Sequence, residues 1–363
     1  MNSRKVLISL LSILLGFIIG AIILKLSNIS PIEAYTVMLN GAFSKPQYWA
    51  YIIIRSTPLI LTGLSVAFAF RTGLFNIGAE GQFIIGALSA TIIGLKCSFH
   101  PVIQIPLIII LSMIISGFYG GFAGFLKARY GVHEVISTIM LNWIALYFSN
   151  FMTMSEFIHR PDTETTEFIL DNGSITLFEN FKNSELGLKW FEQYPAIGEF
   201  MRPPVNAGIF FALIAVIVIW FILNKTSFGY KLKAVGFNMD ASRFAGINVN
   251  KKMTQSMFIA GSLSGLAGAL HVMGVSKNIA ILASFEGYGF DGIAVSLIGS
   301  NHPIGVLFSG LFLGTLKYSG QKIQSALEAP SEVISIMIGA IIFFMAMPVI
   351  IEKFLNIFSR RKS

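Results

Sequence analysis

The sequence predicts an all-α polytopic membrane protein, with about ten transmembrane helices in a single membrane domain over residues 1–363. It also predicts an internal repeat and broken or re-entrant segments. Three observations carry this reading. Hydrophobic residues make up 54% of the chain and charged residues 12%, about half the charged share of a soluble domain. Apolar runs long enough to cross a bilayer recur from end to end. Lys and Arg gather at the ends of those runs and at the termini, the pattern of cytoplasmic loops. That placement explains the net charge of +8 without a polyanion, so nucleic acid is not an expected partner. Cys97 is the single cysteine, which excludes an intrachain disulfide and a thiolate metal cluster.

Taken in order, Arg4 and Lys5 precede an apolar run at 6–24. A signal peptide begins this way, but the run is long and no small-residue cleavage site follows. It is therefore an uncleaved first span with its N-terminus inside. Residues 28–49 are mixed and lie at the outer face, where Tyr48 and Trp49 suit the headgroup region. Residues 51–70 form a second span, with Arg55 and Pro58 near its outer end. Residues 71–82, RTGLFNIGAEGQ, are too polar and glycine-rich for a lipid-facing helix. An apolar run at 83–95 is short for a crossing, 103–126 is a clear span closed by Lys127 and Arg129, and 132–151 returns outward.

Residues 152–205 hold nine of the 18 acids against four bases, which places them outside. An entrance cap, a docking surface for a binding protein and an inert excursion all remain open for this segment. Residues 206–223 span inward to a basic loop at 224–252, with six Lys/Arg against Asp240. Inside that loop Asn238 caps a short helix, Asp240 occupies its first turn and Gly246 stops it. Ala241, Phe244 and Ala245 share a small apolar face that something would have to dock. The plainer alternative is a solvated loop that only sets topology. The span at 253–274 carries Gly261, Gly265 and Gly268 for close helix packing. Residues 285–301 are interrupted, and 303–316 and 331–351 are the last spans, with Lys353, Arg360, Arg361 and Lys362 inside. The total is about ten spans, or eight if both glycine-rich segments only re-enter, with both termini cytoplasmic.

Two interruptions in corresponding halves, Leu74 to Gln82 and Glu286 to Ile293, each set aromatics beside Asn or Asp and glycine. Such broken segments point to a midplane solute site in repeat-built transporters. A weak echo between 124–131 and 314–320 agrees with a repeat. Glu80, Asp291, Glu286 and Glu134 adjoin apolar runs, where an ionisable group is costly unless paired or hydrated. Glu80 and Asp291 either face a path for a small polar solute or cap helix N-termini, and Glu134 reads better as a cap. Phe75, Tyr288 and Phe290 suit stacking on a planar ring, although with 33 Phe ordinary packing is the better reading for any one of them. Asn142 is interhelical glue or a path residue. The candidate path set is thus Phe75, Asn76, Glu80, Gln82, Asn142, Tyr288, Phe290 and Asp291. No phosphate-binding G-x-x-x-x-G-K-[ST], zinc-protease or serine-hydrolase motif is present, and the five His are scattered. The chain does not read as an enzyme or a metal protein.

GYKLKAVGFNMDASRFAGI (229–247) resembles the coupling loop of ABC-importer permeases in the branch that moves sugars, branched-chain amino acids and nucleosides. FRTGLFNIGAEGQ (70–82), GVHEVISTIMLNW (131–143) and GFDGIAVSLIGSNHPIG (289–305) extend the resemblance to the nucleoside, basic-membrane-protein-associated subgroup. Amino-acid members tend to show FNFAHG at the first interruption, and monosaccharide members a GIDLS-type sequence. Ser242 stands where Ala is more usual. The resemblance implies a permease of an ATP-driven nucleoside importer in a bacterial plasma membrane. A second, paralogous permease chain would complete the pore, and an outer-face lipoprotein would deliver the solute. Cytoplasmic ABC ATPases would hold the ATP, leaving this chain no cofactor. Gly236, Asn238, Asp240, Ala241, Arg243, Ala245 and Gly246 would couple to them. A ribose-type sugar or an amino acid is the alternative solute. An ion-coupled secondary transporter would use Glu80 and Asp291 and leave the basic loop unexplained.

Overall fold

A computed structural model describes residues 3–347, with side chains placed from residue 11. The bases expected at Arg4, Lys5, Lys353, Arg360, Arg361 and Lys362, and the end of the last span, therefore lie outside the described side chains. Among the described residues helix is the only regular structure, and no strand forms. In order they form α1 (Ser3–Leu26), α2 (Pro31–Phe43), α3 (Pro46–Phe70), α4 (Ala79–Lys96), α5 (Pro101–Tyr130) and α6 (Glu134–Thr153). Three short helices follow, α7 (Glu179–Lys182), α8 (Glu185–Gln193) and α9 (Pro195–Met201). Then come α10 (Gly208–Lys225), α11 (Ser227–Phe237), α12 (Met239–Phe244), α13 (Val249–His271) with a π-helical turn at Val272–Ser276, α14 (Tyr288–Ile298), α15 (Pro303–Leu327) and α16 (Ser331–Ala346).

Among the described residues, five helices are long and apolar enough to cross a membrane: α3, α5, α6, α10 and α13 with its π turn. A sixth arises if α1 and α2, bent by 120° at their junction, count as one. This is a polytopic membrane protein, but among the described residues fewer than ten elements are long and apolar enough to cross. Two causes are visible. The α4 helix is buried along almost its whole length, so its environment is protein and it need not be apolar. At 11 residues, α14 reaches only about 16 Å.

One expected boundary moves for a clear reason. The span predicted at 303–316 stops short of Lys317, yet α15 continues to Leu327, because Lys317 pairs with Asp291 of α14 and is no longer a bare charge at depth. The echo between 124–131 and 314–320 falls on α5 and α15, at different positions along the two helices. Lys127 lies in the last turn of α5, before a left-handed Gly131, whereas Lys317 lies well inside α15.

Packing exchanges partners between the two halves. Helix α3 leads into the first interruption yet packs on α14 and α15, while α13 leads into the second and packs on α4 and α5; α3 and α13 also meet. The glycines of α13 permit this approach. A Cβ on Gly265 would lie 2.3 Å from Ser116 Cβ of α5, and one on Gly86 of α4 would lie 2.4 Å from Gly265 Cα.

The helices define two ends. The basic 224–252 segment folds as α11 and α12 at one end. The acidic segment covers the other, and its first half is fastened there. Thr166 N–H donates to Ile279 O (2.9 Å), Ile169 N–H to Lys277 O (2.8 Å) and Ile175 N–H to Met273 O (3.1 Å). Ile158, Ile169 and Ile175 are buried beneath it.

Candidate functional site

The two interruptions, far apart in sequence, meet inside the protein. The chain turns back at 71–78 and enters α4 with Glu80 in its first turn; after 277–287 it enters α14. The Glu80 carboxylate is fully buried and accepts the Gly287 N–H at 2.8 Å and the Gly289 N–H at 2.5 Å. These are donors of the first turn of α14, which have no partner within the helix. Glu80 thus caps the start of a helix 207 residues away, at the positive end of that helix's dipole. Gly289 is required there, since a Cβ would fall 2.1 Å from Glu80 N.

Three other candidates brace the first interruption. Asn76 and Gln82 form a reciprocal amide pair: Asn76 Nδ2 donates to Gln82 Oε1 at 2.8 Å, and Gln82 Nε2 donates to Asn76 Oδ1 at 3.0 Å. Asn142 of α6 accepts the Gly81 N–H at 2.8 Å and donates to Ile77 O at 3.0 Å. It supplies hydrogen bonds to backbone that the broken helix leaves open, as irregular backbone at depth requires. Glu134 is not an N-cap: the His133 ring accepts the Val135 N–H, and Glu134 pairs instead with Lys127.

The three aromatic candidates do not converge. The Phe75 ring packs on Phe70 with centroids 5.0 Å apart. Tyr288 lies against Phe83 (5.2 Å) and His271 (5.3 Å). Phe290 lies edge-on to Phe285 (5.5 Å), which in turn meets Trp143 (4.7 Å).

Asp291 faces a cavity of about 660 Å³ between α3, α14, α15 and α16, where it pairs with Lys317. Arg55, Glu286, Tyr288, Gln321 and Gln324 also border it. A smaller cavity, about 160 Å³, is bordered by Phe83, His271 and Glu286. Sequence reasoning named Asp291, Tyr288 and Glu286 but missed Lys317, Gln321 and Gln324. The signal was present in the polar run LKYSGQKIQ, which is too polar for a lipid-exposed stretch of helix. Among the described residues no cluster of His, Cys, Asp or Glu is arranged to hold a metal ion.

At the basic end, the Asn238 side chain accepts the Ala241 N–H at 3.0 Å and Gly246 adopts a left-handed φ of 78° after α12. Ser242 is the buried residue of that helix. Ala241, Arg243 and Ala245 are exposed, as is Phe244 at 94%, and Phe237 just before the helix is 90% exposed. Arg243 pairs with Asp240 at the surface (3.3 Å). Gly236 does not belong to this helix. It lies near the end of α11, where a Cβ would come 2.4 Å from Arg71 O, so its smallness lets α11 rest on the first interruption.

Similarity to known proteins agrees with this architecture. The family described as branched-chain amino acid transport system / permease component matches residues 48–346. The guanosine ABC transporter permease protein NupP of Bacillus subtilis (strain 168) is 40% identical over 94% of this chain and 92% of its own length. The nucleoside ABC transporter permease protein NupB of Lactococcus lactis subsp. cremoris is 36% identical over 98% and 94%. A glucose ABC transporter permease of Haloferax volcanii is 27% identical over 92% and 85%. The first two organisms each hold a second, more distant match, the permeases NupQ and NupC, both 27% identical to this chain. No solved structure matches. On the match over residues 48–346 and the near full-length identity to two permeases, the chain belongs to the branched-chain amino acid transport system / permease component family.

Proposed function

We propose that this chain forms one side of the membrane pore of an ATP-driven importer of nucleosides. The observation that carries the substrate class is the 36–40% identity, over nearly the whole chain, to permeases named for guanosine and for nucleosides. Glucose-named relatives at 25–27% identity make a monosaccharide the second choice. An amino acid rests only on the family's description.

In this reading the whole chain is one membrane domain of ten segments: α1, α3, α4, α5, α6, α10, α13, α14, α15 and α16. They form two intertwined halves, α3 to α6 and α13 to α16, each with its broken segment after the first helix. The exchange of packing partners supports that repeat. The basic end faces the cytoplasm by the positive-inside rule, with both termini there, in a bacterial plasma membrane. The acidic end faces out, toward a solute-binding lipoprotein.

Helix α12 is the coupling element. Its inward face is held by Ser242, while Phe244 and the preceding Phe237 stand in solvent, where apolar rings favour a protein partner. That partner is a cytoplasmic ABC ATPase, which binds the ATP. Asn238, Asp240 and Gly246 shape the helix, Ala241, Arg243 and Ala245 present its surface, and Gly236 transmits movement to the first interruption. The second permease chain is a paralogue, as the NupP with NupQ and NupB with NupC matches suggest. Along the path, Tyr288, Phe290 and Asp291 border the solute, while Phe75, Asn76, Glu80, Gln82 and Asn142 hold the broken segments in place. An ion-coupled carrier is disfavoured, because Glu80 and Asp291 are already engaged by backbone N–H groups and by Lys317.

Uptake of labelled guanosine by cells with and without the gene tests the substrate, with excess unlabelled nucleobase, ribose or leucine as competitor. Loss of uptake that only nucleosides compete supports the reading. Unchanged guanosine uptake with ribose or leucine uptake lost overturns it.

A further inference from the structure

The 660 Å³ cavity between α3, α14, α15 and α16 has the size of a small-molecule site, roughly 300–1,000 Å³. Its wall holds two basic groups, Arg55 and Lys317, and two acidic groups, Glu286 and Asp291. When all four are ionised the wall is neutral, which suits an uncharged solute. Asp291 and Lys317 satisfy each other. The side chains of Arg55, Glu286, Gln321 and Gln324 make no hydrogen bond or ion pair among the described residues. Glu286, Gln321 and Gln324 are exposed in the single chain and Arg55 is half-buried, so their polar groups stand open to whatever enters the cavity.

Their chemistry selects a ligand. A carboxylate accepts two adjacent hydroxyls at once, a guanidinium donates in a fixed fork, and each amide both donates and accepts. Hydroxyl groups, which do both, match this set. We propose that the cavity is a solute station that takes the sugar end of a nucleoside, a neutral vicinal diol, between Arg55, Glu286, Gln321 and Gln324. This rests on the nucleoside reading above. The Tyr288 ring borders the same cavity and closes one side of the station.

The test is binding of tritiated guanosine to the purified complex of permeases and ATPase in nanodiscs, without the binding lipoprotein. Unlabelled guanosine, 2′,3′-dideoxyguanosine and leucine serve as competitors. The wild-type complex is expected to prefer guanosine over the dideoxy compound by about tenfold to a hundredfold, the effect of hydrogen bonds to charged groups. Glu286→Gln, which keeps the side-chain shape, and Gln321→Leu are each expected to shrink that preference while dideoxyguanosine binding stays within about twofold. Equal binding of the two compounds to the wild type overturns the station, as does a preference unchanged in both variants. Stronger displacement by leucine also overturns it and assigns the open Arg55 and Glu286 to a zwitterion. The uptake assay separates the two levels. Guanosine uptake without diol discrimination in the cavity removes the station alone, whereas absence of guanosine uptake removes the nucleoside reading.

Discussion

Replacing Glu80 by Gln is the most direct probe of how the two interruptions are joined. The carboxylate accepts two backbone N–H groups of the α14 start at 2.8 and 2.5 Å and lies wholly inside the protein. Hydrogen bonds to a charged partner contribute about 1.5–3 kcal/mol each, against about 0.5–1.5 for neutral ones. The amide keeps one acceptor and turns an NH2 group toward the second N–H. Adding the lost dipole interaction, about 0.3–2 kcal/mol, the expected destabilisation is about 2–4 kcal/mol. Glu80→Ala leaves both N–H groups without a partner and is expected to cost more. The assay is thermal unfolding of the purified complex in detergent, followed by aggregation and by tryptophan fluorescence, beside uptake in cells. Both variants should unfold at lower temperature, with Ala below Gln, and uptake should fall in parallel. If Glu80→Gln unfolds like the wild type while uptake is abolished, the carboxylate acts on the solute and the capping geometry is refuted.

Other expectations follow from the same kinds of contact. Asp291→Asn strands the Lys317 ammonium at span depth and should lower the yield of assembled protein; adding Lys317→Met should restore it, and a double variant no better than the single ones would deny that the two form a pair. Asn76→Ala should cost about 1–3 kcal/mol, because Gln82 is left buried without its partner; unfolding measurements on Asn76→Ala, Gln82→Ala and the double variant should show clear non-additivity. Phe244→Asp should leave membrane insertion intact and abolish co-purification of an ATPase subunit, since the ring is 94% exposed and supports nothing within this chain; undiminished co-purification would remove α12 from the contact. Gly86→Val should prevent assembly, because the approach of α4 to α13 has no room for a Cβ; normal expression and stability would contradict that close packing.

How far the sequence was legible depended on whether a feature was local. The caps of α12 could be read directly, because Asn238, Asp240 and Gly246 act within a few residues of one another. The glycine stripe of α13 was legible as well, since its period is that of a helix. What each helix packs against was not, because partners are exchanged between halves some 200 residues apart, a pattern that periodicity does not carry. For the same reason capping or path could not be decided for Glu80: the helix it caps is α14, not α4. Lys317 ended a predicted span because a lone Lys is costly in lipid, and only the fold supplies Asp291. The partners of Asn142, the Gly81 N–H and Ile77 O, were likewise out of reach, because only the fold sets α6 against the first interruption.

The intertwining of the halves has a consequence for biogenesis. Glu80 enters the membrane long before the N–H groups that complete it, for Gly287 emerges 207 residues later. At about 5–20 residues per second that is roughly 10–40 s of synthesis. For most of that interval α4 carries a carboxylate whose shelter, α13 and α14, is still to be made. Such a helix is a poor candidate for early release into lipid. The expected outcome is a nascent chain held beside the insertion machinery until the second half arrives and the two close together.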